Sequence, residues 1–401
     1  MRRKLFTAIN LLCIVLTLVV LMVVTALLQN TFYPTGVEGK SNRFLQVMVM
    51  HTESADGNQT LTGPLGYKLI EQYLMPLKSV ELVGVTSGPS TVSVYQEGRV
   101  TELSMRRTDA NYWKILDFHV LEGRLPTADD DADGRFVAVV NQASARKLFG
   151  AASPVGKTVR VSGQQFRIIA VVENEMQLNA YADIWAPIST MPSSDYRQTY
   201  FGDFIALLMG QSPADLPLIR KDVETVARGA DFGDPKQWSK IRFWADDKVD
   251  AIARQTIGDS NKSESGAAIM IAVLLSVMFI FMLLLTPEPG QPEQRPHHGT
   301  QLGNRGAQGL RRHQRPPGLA IDRGERRALP GRCGLISLGC SALVLRALEW
   351  SELIPYLKVD LNLAVMGYGL LITLFFGLLS GVLPAWKMSR LDPVHALKGA
   401  V

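Results

Sequence analysis

The sequence predicts an α+β protein: a multi-pass α-helical membrane chain that carries a large mixed α/β extracytoplasmic domain between its first and second helices. Three observations predict it. Of the 401 residues 47% are apolar, and they concentrate in three uncharged runs at residues 6–28, 267–285 and 361–383. A hydrocarbon core takes about 20 apolar residues as helix, because every backbone polar group must be bonded within the segment. The long stretch between the first two runs mixes strand and helix periodicities, and basic residues sit beside the first and last runs: Arg2, Arg3 and Lys4, then Lys387, Arg390 and Lys398.

The elements follow in order. Residues 1–29 form an N-terminal transmembrane helix. Its 23-residue run exceeds the roughly 7–15 apolar residues of a signal peptide, so it reads as an uncleaved anchor. Positive flanks stay inside, which puts the N-terminus in the cytoplasm and residues 30–265 outside. Within that domain residues 67–77 read as an amphipathic helix, 136–140 as a strand and 143–149 as a helix. Residues 158–161 and 165–172 flank Ser162-Gly163 as a hairpin. Tyr112, Trp113, Phe118 and Trp185 are core candidates rather than ligand contacts. Residues 266–286 return the chain to the cytoplasm as a second helix.

Residues 287–334 break the pattern. Between 287 and 333 stand seven of the 21 prolines, three of the six histidines and nine arginines, with no lysine and no periodicity. Residues 335–349 read as the remnant of a third helix, since the apolar stretch from 335 to 348 is only 14 residues long, too short to span. Residues 361–386 form the last helix and 387–401 a basic cytoplasmic tail.

Net charge is +5, but no basic stripe with interleaved aromatics is present, so nucleic acid is not an expected partner. The three cysteines, Cys13, Cys333 and Cys340, cannot form a disulfide framework. Two glycine-rich segments imitate a phosphate loop and fail on spacing: Gly36 to Ser41 has two residues between its glycines and Gly150 to Thr158 has five, where four are needed. Asp129, Asp131, Asp133 and Gly134 match the start of a calcium loop. Its twelfth position, however, is Val140 instead of glutamate, so the segment reads as a solvated acidic loop. His51 and His119 lack metal-ligand spacing. No nucleophile elbow or zinc-protease pair is present, and no catalytic, cofactor or metal residue is assigned.

Three stretches together resemble the MacB/FtsX-type family of ABC transporter permeases. The first is Phe6-Thr7-Ala8-Ile9-Asn10-Leu11-Leu12. The second begins Thr108-Asp109-Ala110-Asn111-Tyr112-Trp113-Lys114 and continues through Glu122-Gly123-Arg124, Ala145-Arg146-Lys147-Leu148-Phe149-Gly150, Pro154-Val155-Gly156-Lys157 and Ala182-Asp183-Ile184-Trp185. The third is Gly381-Val382-Leu383-Pro384-Ala385-Trp386-Lys387-Met388-Ser389 with Asp392-Pro393-Val394-His395-Ala396-Leu397-Lys398. The motif positions are thus Asp109, Trp113, Gly123, Arg124, Gly150, Pro154, Gly156, Gly381, Pro384, Ala385, Ser389, Pro393, Ala396 and Leu397. The resemblance implies four membrane helices, a periplasmic core domain and a location in the inner (plasma) membrane, in contact with lipid. It also implies pairing with a second permease chain, as a homo- or heterodimer, and a separate cytoplasmic ATPase that binds ATP on behalf of a non-catalytic permease.

The family pattern fails at 287–334, where relatives carry a basic coupling segment and a third helix. Reading the codons of His297 to Arg312 one nucleotide later permits Ile-Met-Glu-Arg-Ser-Ser-Glu-Ile-Gly-Val-Arg-Lys-Ala-Phe-Gly-Ala, which is similar to that coupling segment. The same shift permits Gln-Leu-Ile-Val-Glu-Asn-Val from Ala320 to Arg326 and Leu-Asn-Leu-Val-Asn-Leu from Pro287 to Pro292. The segment is therefore expected to be a frameshifted reading, and the chain as written to be impaired. The alternative is a membrane-anchored extracytoplasmic sensor or scaffold without ATPase coupling.

Overall fold

The computed structural model describes residues 36–96, 98–233, 238–257 and 264–284, with the short pieces 19–20, 23–24, 339–340 and 342–347 and residue 367. The chain divides into two compact units, and the folded domain lies in the one that contains Leu27–Leu275. In the other unit the described residues 339–340 and 342–347 are helical. The expected last helix and tail, residues 361–401, lie outside the described residues apart from Gly367, as do the first helix, apart from four residues, and segment 287–334.

Six strands close a ring: β5 (Ser90–Gln96), β6 (Arg99–Thr108), β8 (Val137–Asn141), β9 (Thr158–Val161), β10 (Gln164–Val172) and β11 (Ile184–Pro187). They pair in the order β6-β11-β8-β10-β9-β5, and β5 pairs back to β6. Side chains two apart share a strand face, and here that face fills the barrel: Val94, Leu103, Met105, Val140, Val161, Phe166, Ile168 and Ile184 are all buried in one cluster. The hairpin expected at Ser162-Gly163 is present. Both residues have positive φ, 47° and 89°, as a two-residue type I′ turn demands.

From β6 the sheet runs on through β4 (Leu82–Ser87), β12 (Phe204–Met209) and β1 (Phe44–Val47), and β7 (Val120–Gly123) adds to β10. Every residue of β12 is buried, because both of its faces are covered. Leu45, Val47, Phe204, Ala206 and Leu208 meet helix α5 (Leu216–Arg228) through Ile219, Val223 and Ala227. On the opposite face Phe44, Leu207 and Met209 meet Tyr112 and Trp113 of the short helix α2 (Tyr112–Ile115), with Phe118 and Trp185. Those four aromatics are core, as the sequence suggests. A second sheet of β13 (Lys240–Phe243), β2 (Met50–Glu53) and β3 (Thr60–Gly63) completes the domain.

Two expectations need correction. The helix read at 67–77 is α1 (Tyr67–Leu69) followed by a π turn, Ile70–Leu74, in which Met75 N donates to Ile70 O at 2.9 Å. Pro76 stops it, since proline offers no amide donor and disfavours helix in the residue before it. The acidic segment is not a solvated loop but a helix, α3 (Ala128–Ala132), capped by Thr127. The strand read at 136–140 begins one residue later, and the helix read at 143–149 is α4 (Gln142–Phe149). Beyond α6 (Lys248–Thr256) comes α7 (Ala267–Leu284), the described part of the second apolar run. Its 18 residues rise about 27 Å. Among the described residues no helix is long and apolar enough to cross a membrane.

Candidate functional site

The domain has one base, where the chain comes in at Gly36 and leaves through α6 toward α7. Two buried ion pairs stand there. The incoming turn, Gly36–Glu38, ends in a wholly buried glutamate. Its Oε2 meets Lys248 Nζ at 2.5 Å, its Oε1 accepts from Asn179 N at 2.9 Å, and its own backbone N donates to Gln177 Oε1 at 2.8 Å. Lys248 is the first residue of α6, whose cap is the Asp247 carboxylate accepting from Asp250 N at 2.9 Å. The incoming and outgoing segments are thus clamped to each other through side chains, with the loop around residue 179 as the third party.

The second pair holds α6 to the end of β13. Arg254 donates from Nε and Nη2 to Asp246 at 2.7 and 3.0 Å, and its guanidinium stacks over the Trp244 ring at 4.2 Å. Asp246 is in turn fixed to β1 by reciprocal backbone bonds with Gln46, 2.8 and 2.9 Å. Burial raises the Asp246 carboxyl above its ordinary value, although Arg254 opposes this. From there the ties reach α7. Asp250 accepts from Ser265 Oγ at 2.6 Å and from Arg220 Nη1 at 2.9 Å, and Ser265 Oγ accepts from Ala267 N at 3.2 Å. Burial pushes Asp250 up, but these bonds outweigh it and leave its carboxyl below the usual value. Met270 is buried, within 3.9 Å of Thr256 Oγ1 through its sulfur. The first turn of α7 is therefore continuous with the folded domain.

The described motif positions lie elsewhere and hold the domain's shape. Asp109 accepts from Tyr112 N at 2.8 Å, and burial pushes its carboxyl up to about 7. Trp113 Nε1 donates to Thr108 Oγ1 at 3.1 Å, and its ring packs on Trp185. Gly123 has φ +84°, and a Cβ there would stand 2.0 Å from Ile169 O. Arg124 donates to the buried Asp130 at 2.6 and 3.1 Å. That bond, with further bonds from Thr127, holds the carboxyl well below the usual carboxylate range against its burial. Gly150 ends α4 at positive φ, and Gly156, two residues after Pro154 in the following turn, donates its N–H to Ile168 O at 2.8 Å. Gly381, Pro384, Ala385, Ser389, Pro393, Ala396 and Leu397 lie outside the described residues.

The calcium candidates do not converge. Asp131 accepts from Ser189 N, Asp133 pairs with Arg135, and the buried carboxylate of the group is Asp130, which the sequence pattern passes over. Among the described residues no group of three or more His, Cys, Asp or Glu side chains is placed to hold a metal ion. His51 is buried against Thr62, and His119 lies at the surface beside Glu173.

The family model of the MacB-like periplasmic core domain matches residues 7–226, more than half of the chain. The chain belongs to that family. A relative from Bacillus subtilis (strain 168), named as the uncharacterized ABC transporter permease YknZ, is 25% identical over 334 residues, covering 81% of this chain and 77% of its own length. The macrolide export ATP-binding/permease protein MacB 2 of Aeromonas hydrophila is 25% identical over 298 residues, covering 72% of this chain; the chain spans only 42% of that relative. The crystal structure of the extracellular domain of YknZ is similar at a TM-score of 0.37 and 17% identity, covering 50% of this chain and 98% of the domain. The likeness to the Bacillus permease involves more residues than the matched domain holds, so in this MacB-like chain it continues beyond residue 226.

Proposed function

We propose that the chain is the transmembrane permease subunit of a MacB-type ABC system in the inner (plasma) membrane, its N-terminus and tail cytoplasmic and its domain periplasmic. It is non-catalytic. A separate cytoplasmic ABC ATPase binds ATP, a second permease chain pairs with this one, and the domain is displaced when the membrane helices move. The base carries this reading. Breaking either buried pair by losing one partner costs about 3–5 kcal/mol, so a push arriving through α7 or the incoming segment turns the domain as one body instead of bending its base. The surface of α7 supports the membrane assignment: Ile269, Val273, Leu275, Val277 and Ile280 are each at least half exposed, and a helix apolar on every side is not stable in water.

On this reading residues 287–334 are translated out of frame, and the chain as written lacks the segment that would meet the ATPase. A reporter active only in the periplasm, fused after residue 200, tests the orientation. Activity is expected, and activity from a cytoplasm-active reporter alone at that position would refute it.

A further inference from the structure

A cavity of about 510 Å³ opens at the base, between α5, the residues after β13 and the first turn of α7. That volume lies within the roughly 300–1,000 Å³ of small-molecule sites. Its apolar wall comes from Phe243, Trp244 and the α7 residues Ala267, Ala268 and Ile269. The polar wall carries four carboxylates, Glu224, Asp246, Asp250 and Glu264, against two guanidiniums, Arg220 and Arg254.

Internal pairing leaves this wall negative. Arg254 is committed to Asp246, and Arg220 is divided between Asp250 at 2.9 Å and Asp247 at 3.4 Å. Among the described residues Glu224 pairs only with the exposed Arg228, and Glu264 has no ion pair. An ammonium group is therefore favoured at this side. Next to it stand donors for an anion. Arg220 is half exposed, and the Ala268 and Ile269 N–H groups belong to the first helical turn, where no intrahelical acceptor exists and the helix dipole is positive. Ala267 N is already satisfied by Ser265.

An ammonium beside a phosphate, joined to apolar chains that follow α7, is the chemistry of an aminophospholipid. The geometry points to this cavity as a binding site for the phosphoethanolamine headgroup of a lipid in the outer leaflet. The inference rests on the membrane reading of α7 given above. It favours lipid over a soluble amine because the apolar wall leads directly onto an exposed apolar helix. A choline headgroup fits poorly, since a quaternary ammonium has no N–H to give Glu264 or Glu224. A lipid seated here would fasten the domain's base to the bilayer surface.

The full chain in detergent, titrated with single lipids and weighed by native mass spectrometry, tests this. Phosphatidylethanolamine should bind at least about fivefold more tightly than phosphatidylcholine of the same chains. The variant E224Q/E264Q, altered only at exposed carboxylates, should lose that preference while its circular dichroism stays unchanged. Equal binding of the two lipids, or an undiminished preference in the variant, would overturn the proposal. Soluble O-phosphoethanolamine binding as tightly as the lipid would overturn the lipid source. A chain that stays in the aqueous phase and takes up neither detergent nor lipid would instead overturn the membrane reading.

Discussion

Replacing Lys248 with methionine keeps the aliphatic stem that packs at the base and removes only the ammonium. Glu38 then remains with a wholly buried side chain, and its partner's side chain had been only 7% exposed. The hydrogen bond from Asn179 N satisfies Oε1, whereas Oε2 loses its counter-charge. An uncompensated buried charge of this kind costs about 3–5 kcal/mol, a large part of the roughly 5–15 kcal/mol that holds a domain folded. For a domain of this size that is a fall in Tm of about 6–20 °C. The second variant, E38Q/K248M, removes both charges and keeps an acceptor for Asn179 N. It should regain most of the loss, giving a coupling energy of about 2 kcal/mol or more in a double-mutant cycle. The assay is urea unfolding of residues 30–265 followed by tryptophan fluorescence. If K248M lies within about 0.5 kcal/mol of the parent, the range of an ordinary surface change, the clamp at the base does not exist.

Two further outcomes follow from the same geometry. Burial raises the Asp109 carboxyl to about 7, so the folded state holds this proton more tightly than the unfolded chain, where the group titrates near 4. Its contribution is complete below that unfolded value and is lost as pH rises through the folded one. D109N, which still offers an oxygen to Tyr112 N, should flatten the stability profile between about pH 4 and 7, by up to about 4 kcal/mol; an unchanged slope in urea titrations at several pH values counts against the burial. Gly123→Ala should cost more than about 2 kcal/mol, because φ is +84° and the new methyl carbon would sit against Ile169 O; thermal unfolding within a degree or two of the parent would show that the backbone there relaxes freely.

Local pattern made part of this molecule legible. The Ser162-Gly163 turn, the strand ending at Asn141 and the aromatic core around Trp113 each depend on spacing or residue type within a few positions. The helix at Ala128–Ala132 was hidden because three of its five residues are aspartates, which by composition belong to loops, and only the Thr127 cap with the buried Arg124–Asp130 contact makes the helix pay its way. The base was hidden for a different reason. Glu38 and Lys248 stand at opposite ends of the domain's sequence, and no spacing rule connects two charges that meet only after thirteen strands have paired. The nearest signal was that both lie just inside the apolar runs. The motif residues, by contrast, were legible through resemblance, yet Asp109, Gly123 and Arg124 prove to be shape-keeping positions away from the base.

The measurement closest to the central claim compares two forms of the permease, the chain as written and a version with residues 287–334 restored to the shifted frame, each co-expressed with a candidate nucleotide-binding subunit and purified through the permease. The restored form should bring the ATPase with it and support ATP hydrolysis in a bilayer. The chain as written should bring down little of it, and neither form should hydrolyse ATP alone. Equal recovery of an active ATPase by the chain as written, or robust turnover by either permease alone, would contradict the account.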